Sequence, residues 1–141
     1  MRKRKGVILA VVGYIVLFLS MEGWGADWKL FFTTTHDYFY YDAESITHPS
    51  KDVVRVWGRE VFTEKGVIEM VGVLGENFKT LSYWMDLVEF HCGDRKFRHL
   101  SSVAYSTDET LLHSFDDQEP KWYFISPESM LLDVLYNILC K

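Results

Sequence analysis

The sequence predicts an α+β fold: an antiparallel β-sheet of about six strands, with a C-terminal α-helix packed on one face and a short helix inserted mid-chain. Three observations carry this reading. Aromatic and β-branched residues fall in short runs bounded by turn residues, as strands require. Two such runs, 81–92 and 95–106, are separated only by Gly93-Asp94, the spacing of a tight hairpin. The last run of the chain places Met130, Leu131, Val134, Leu135 and Ile138 at helical rather than strand spacing.

The elements follow in order. WKLFFTTT (28–35) and YFYYD (38–42) read as a strand pair broken at His36-Asp37. AESITHPSKD (43–52) is a loop by its Ser, Pro, Asp and Lys content. DVVRVWGREVF (52–62) is a strand in which Val54 and Val56 alternate with Arg55 and Trp57, and Gly58 marks a bulge or a close backbone approach. Thr63 is an acceptable cap, and Val67, Met70, Val71 and Leu74 share one helical face, which predicts a short helix over 64–75. Gly66, Gly72 and Gly75 weaken that helix by up to about 1 kcal/mol each where they lie in its interior.

The hairpin register predicted from the Gly93-Asp94 turn opposes Cys92 to Arg95, Phe90 to Phe97, Val88 to His99 and Trp84 to Val103 on one face. On the other it opposes Glu89 to Arg98 and Leu87 to Leu100. The aromatic and the opposite-charge pair each favour this register by about 0.2–1 kcal/mol. TDE (107–109) makes the next turn, TLLHSF (110–115) the next strand, DDQEP (116–120) an acidic loop and KWYFI (121–125) a short edge strand. Ser126-Pro127-Glu128 then opens the last helix with a cap, a proline suited to the first turn and an acid at the positive end of the dipole.

MRKRK followed by the apolar run GVILAVVGYIVLFLSM and the small-residue passage EGWGAD has the order of a signal peptide, with cleavage after Gly25. The rival reading is an uncleaved anchor in the inner membrane, but the apolar run is short against the roughly 20 residues of a spanning helix. The chain is therefore expected to be exported, to the periplasm, the cell surface or the medium, with no stable membrane anchor once the signal is removed. Residues 26–141 are enough for one domain and show no internal repeat or linker. Four of the 15 basic residues and one of the 20 acids lie in the first 25 residues, so residues 26–141 carry a formal charge of −8. That balance excludes general nucleic-acid binding, which needs a basic, phosphate-neutralising surface.

Cys92 and Cys140 are the only cysteines. In an oxidising compartment an even pair is expected to form a disulfide, here between the hairpin tip and the last helical turn. A metal centre is not expected: adjacent strand residues His91 and Cys92 point to opposite faces, and no fourth ligand is in reach. Cys92 with His99 is the one candidate nucleophile and base, and a structural disulfide accounts for the same cysteine without a further assumption. Strand alternation separates Asp86 from Glu89, and Asp116-Asp117 reads as a solvated turn, so no pair of catalytic acids emerges. No phosphate loop, nucleophile elbow or zinc-protease helix occurs. The chain is expected not to be an enzyme and to need no cofactor. Arg95, Lys96 and Arg98 form the candidate patch for an anion or an acidic partner, against the alternative of a hairpin edge protected by charge.

YYDAESI (40–46), VRVWGR (54–59), LVEFHCGDRKFRHLSSVAYS (87–106) and W-x-x-I-x-P-x-S with the closing LYNILC (122–140) together resemble the surface-adhesin protein E-like family of exported bacterial proteins. The resemblance spans nearly all of residues 26–141. It implies an antiparallel sheet with a C-terminal helix, a location in the bacterial envelope and an adhesive role of the kind the family's type member has toward host proteins such as vitronectin, laminin or plasminogen. It brings no catalytic or ligand-binding residues. The sequence departs from the family pattern in lacking a lipid-attachment cysteine and in having Gly58 where a branched apolar residue is more common. The functional expectation is an exported, non-enzymatic interaction protein, adhesin-like, that presents its uncovered sheet face or edge to a protein partner. The alternative is a periplasmic carrier that holds a small apolar or anionic molecule between sheet and helix.

Overall fold

The structure, a computed structural model, describes residues 25–141. The predicted signal segment lies outside the described residues up to Trp24. Eight strands form one antiparallel sheet: β1 (Trp28–Thr33), β2 (Asp37–Asp42), β3 (Thr47–Ser50), β4 (Val53–Phe62), β5 (Leu81–His91), β6 (Lys96–Ser106), β7 (Leu111–Asp116) and β8 (Tyr123–Phe124). The main path runs β1-β2-β4-β5-β6-β7. Short β3 pairs with β4 beside the end that β2 leaves free, and β8 does the same for β6 beyond β7. Helix α1 (Glu64–Leu74) joins β4 to β5, and α2 (Met130–Leu139) closes the chain. Among the described residues no helix is long and apolar enough to cross a membrane.

Alternation along β4 and β5 sorts side chains between two faces. Val54, Val56, Gly58 and Glu60 lie opposite Phe90, Val88, Asp86 and Trp84 on the face that α2 covers, the near face. Val56 and Phe90, both 0 % exposed, meet Ile125 and Leu135, and Phe31, Tyr41, Phe97, Leu132 and Leu139 pack around them. Each large side chain so buried contributes about 1.5–3 kcal/mol. The disulfide expected from the cysteine count is present: Cys92 and Cys140, 48 residues apart, are bonded with Cα atoms 5.3 Å apart. The Tyr136 hydroxyl donates to the Cys92 carbonyl, so the end of α2 is held at the hairpin tip twice.

The hairpin register is the predicted one near the tip, where Phe90 faces Phe97, Glu89 faces Arg98 and Val88 faces His99. A bulge at Leu100 then shifts it, so Leu87 faces Ser101 and Trp84 faces Ala104 rather than Val103. The shift brings Ser102 to the near face as well, beside His99, and each meets Asp86 there. The turn also differs. Pairing stops at His91 and Lys96, and the left-handed backbone falls on Arg95 (φ 51°) rather than on Gly93. Longer hairpin loops place their left-handed residue at this last position.

Gly58 is not a bulge but pairs in regular register with Tyr41 and Asp86. Residues 43–52 are not all loop: Thr47–Ser50 form edge strand β3, where Pro49 falls in the register irregularity between Thr47 and Ser50 and pairs with no residue of β4. The last helix starts at Met130, after a turn in which the Ser126 hydroxyl accepts from the Glu128 N–H. Its buried side is Leu132, Leu135, Leu139 and Cys140, and Met130 is 66 % exposed. Of the predicted stripe, Leu135 lies in the core, Leu131, Val134 and Ile138 are half-buried and Met130 is exposed, so the helix is rotated toward Leu132, Leu139 and the bonded Cys140.

Candidate functional site

The predicted basic patch is not one surface. Arg95 forms an ion pair with Asp133 of α2, and its guanidinium lies 5.0 Å from the centre of the Tyr136 ring. Lys96 sits over Phe124 at 4.7 Å. Arg98 bonds Glu89 at 2.7 Å and stacks under Trp122 at 4.3 Å. Glu89 is fully buried on the far face, the one turned away from α2, and also receives Arg55 Nε at 3.0 Å and Nη2 at 2.9 Å. The row Arg55-Glu89-Arg98 therefore crosses three neighbouring strands as a closed charge ladder.

The same far face carries a cation that the sequence reading passed over. Arg59, two positions beyond Trp57 on β4, places its guanidinium 4.2 Å from the Tyr83 ring centre and 5.5 Å from that of Trp28. Its Nε is buried without a hydrogen-bond acceptor, and no ion pair among the described residues includes it. Trp28, Tyr40, Arg59 and Val61 line a cleft of about 180 Å³ there. Tyr83 stacks on Tyr105 at 5.3 Å and donates its hydroxyl to Glu109 at 2.7 Å. Burial and that bond to Glu109 push the Tyr83 phenol up, and nearby Arg59 opposes the shift. Both helices stay off this surface: α2 packs on the near-face core, and Phe78, just after α1, stacks on near-face Trp84. The signal for Arg59 lies in VRVWGR, where Arg55, Trp57 and Arg59 alternate with core-facing Val54 and Val56.

On the near face a second pocket, about 150 Å³, opens beneath α2. Leu131, Leu132 and Leu135 roof it, Phe31 and Phe39 wall it, and Val88 with side-chain-free Gly58 forms its floor. Glu60 and Asp86 bring carboxyl groups to its lining. Burial, hydrogen bonding to Asp37 and the negative charges of Asp37, Asp86 and Glu69 push the Glu60 carboxyl up to about 9, so it is protonated at neutral pH.

Asp86 Oδ1 lies 2.8 Å from His99 Nε2 and accepts from the Ser102 hydroxyl, which in turn accepts from Trp84 Nε1 at 2.8 Å. Serine, histidine and aspartate converge here, but not as a nucleophile with its base. A hydrolytic triad needs one imidazole nitrogen on the serine and the other on the aspartate. In this cluster the Ser102 hydroxyl and His99 Nε2 both turn to one carboxylate oxygen, that same Nε2 is the nitrogen 3.3 Å from the Ser102 hydroxyl, and Ser102 is buried. The cluster bridges β5 and β6. Cys92 is consumed by the disulfide and is no free thiol. No group of three or more His, Cys, Asp or Glu residues among the described residues is arranged to hold a metal ion.

No curated protein matches the chain. Among solved structures, crystal form II of Haemophilus influenzae protein E superposes with a TM-score of 0.50 at 13 % identity, over 78 % of this chain and 91 % of that one. Protein E from non-typeable Haemophilus influenzae gives 0.49 at 13 % identity over 79 % and 74 % of the two chains. Its selenomethionine form gives 0.47 at 10 % over 82 % and 92 %. At this identity the first of these speaks for the fold alone. The family model for surface-adhesin protein E matches residues 28–141, the whole of the sheet and both helices, and the chain belongs to that family.

Proposed function

We propose that this protein is an exported, non-enzymatic adhesin that docks a protein partner on its far sheet face, with Arg59 as the central contact. Family membership and the closed disulfide support export. The observation that carries the docking surface is Arg59 itself, a guanidinium framed by two aromatic rings and lacking a carboxylate partner on a face no helix covers. Trp, Tyr and Arg dominate the binding energy of protein interfaces, and a guanidinium with unsatisfied N–H groups takes a partner's Asp or Glu as a charge-assisted pair. Lys96 and Arg98 stand at the rim of that face with their charges already engaged by Phe124 and Glu89, whereas Arg95 is drawn to Asp133 of α2.

The test is binding of the purified protein to immobilised vitronectin, laminin and plasminogen. Arg59→Ala is expected to weaken the productive pair by about 30-fold, a hot-spot loss of about 2 kcal/mol. Lys96→Ala is expected to stay within about 2-fold, as a rim charge does. Equal affinities for wild type and Arg59→Ala would remove Arg59 from the interface and end this reading. The pocket beneath α2 favours a second reading, a periplasmic holder of a small molecule.

A further inference from the structure

The pocket under α2 has a chemistry narrower than its shape. Its walls are apolar, and about 150 Å³ suffices for a single ring or a short branched chain. At one side Glu60, Asp86 and Asp37 converge, with Glu69 also near enough to act on Glu60. The basic groups beside them are the His99 imidazole on Asp86, the His36 imidazole 3.5 Å from Glu69, and Arg59, which borders the pocket from β4. The three roof residues from α2 are leucines, Asp133 of that helix is turned to Arg95, and the Arg59 guanidinium lies over Tyr83 on the far face. A partly buried set of acids short of cations repels an anion and is relieved by a positive charge.

We propose that this pocket binds a small primary amine, its ammonium between Glu60 and Asp86 and its branched or single-ring tail beneath Leu131, Leu132 and Leu135. This rests on the small-molecule reading of the pocket and is independent of docking at Arg59. Gly58 makes the room: a Cβ built there meets only the backbone oxygens of Asp86 and Tyr40, each at 3.8 Å, so a side chain fits without displacing the strand and fills the floor. The ammonium favours ionised Glu60, so binding releases the proton that this carboxyl holds at neutral pH. Affinity therefore rises between pH 6 and 8.5, by at most about 10-fold per unit.

The experiment is a calorimetric and NMR titration of the purified, disulfide-closed protein with isopentylamine and benzylamine, against isopentanol, benzyl alcohol and benzoate. The amines are expected to bind at least about 10-fold tighter than the alcohols, to shift the amide signals of Gly58 and Val88, and to tighten with pH; a charge-assisted bond makes that difference. Glu60→Gln is expected to lose about 10-fold in amine affinity along with its pH dependence, and Gly58→Leu to abolish binding. Alcohols that bind as tightly as the amines overturn the ammonium assignment and leave the small-molecule reading standing. No binding of any probe, or binding that survives Gly58→Leu unchanged, overturns both. If Gly58→Leu fails to fold, Leu132→Phe narrows the same pocket from the helix side and is read in the same way.

Discussion

Replacing Glu60 by Gln is expected to make this protein more stable at neutral and alkaline pH. The folded carboxyl is held at about 9, whereas its ordinary value, and that of the unfolded chain, is 4.5. Between these values the folded state binds a proton that the unfolded state has released, so unfolding becomes easier as pH rises. The stabilising contribution of the raised group is complete below 4.5 and is lost progressively up to 9. At pH 7 the gap of about 2.5 pH units corresponds to about 3 kcal/mol at most, and solvent reaching the partly exposed group lowers this to about 1–3 kcal/mol. Gln carries no charge to suppress and still donates to Asp37. Urea unfolding at pH 5, 7 and 8.5 checks the expectation. Glu60→Gln should match wild type near pH 5 and exceed it increasingly above, with an unchanged m-value. Parallel curves for the two proteins, or a variant weaker at pH 8.5, would refute the account of Glu60.

Three further variants probe the scaffold beneath the candidate surfaces. Glu89→Ala leaves Arg55 and Arg98 facing each other over a buried gap and is expected to cost about 3–5 kcal/mol in denaturant unfolding, the penalty for breaking a buried ion pair from one side. Of the two glycines inside α1, Gly66 has no room for a Cβ, which would stand 2.2 Å from the His36 carbonyl oxygen, while Gly72 has nothing within 4 Å. Gly66→Ala is therefore expected to lower the thermal midpoint, and Gly72→Ala to raise stability by about 0.5–1 kcal/mol.

Strand content, the central hairpin, both helices and the disulfide were legible because each rests on local pattern or on a count of two cysteines. The boundaries of α2 and its rotation were not. Ser126-Pro127-Glu128 has good capping chemistry, yet Ile125 must be buried beside Leu135, and the chain makes a turn there before the helix begins. The rotation toward Leu132, Leu139 and the bonded Cys140 is one that no periodicity along the helix alone reveals. The bulge at Leu100 was equally hidden, since a two-strand register from the tip outward cannot anticipate an extra residue whose carbonyl accepts from Asp117 beyond β7.

The two candidate sites lie on opposite faces of β4. The charge cluster RKFRH drew attention because its residues are contiguous, but contiguity in a hairpin alternates side chains between faces and sends each cation to a different partner. VRVWGRE sets Arg55 and Arg59 four residues apart, an even spacing that collects them on one face. Arg55 and Arg59 reach one face with Trp57; Glu60 reaches the other with Val54, Val56 and Gly58. An acid in register with a core valine stripe and next to a glycine is the sequence mark of a carboxyl facing an unfilled space. An arginine opposite it, flanked by aromatic strands, is the mark of a cation left for something outside the chain. A single strand thus separates the partner-facing chemistry from the pocket chemistry. Arg59 borders the pocket as well as the far-face cleft, so Glu60→Gln and Gly58→Leu, which leave the Arg59 cleft intact, are the variants that separate the two readings.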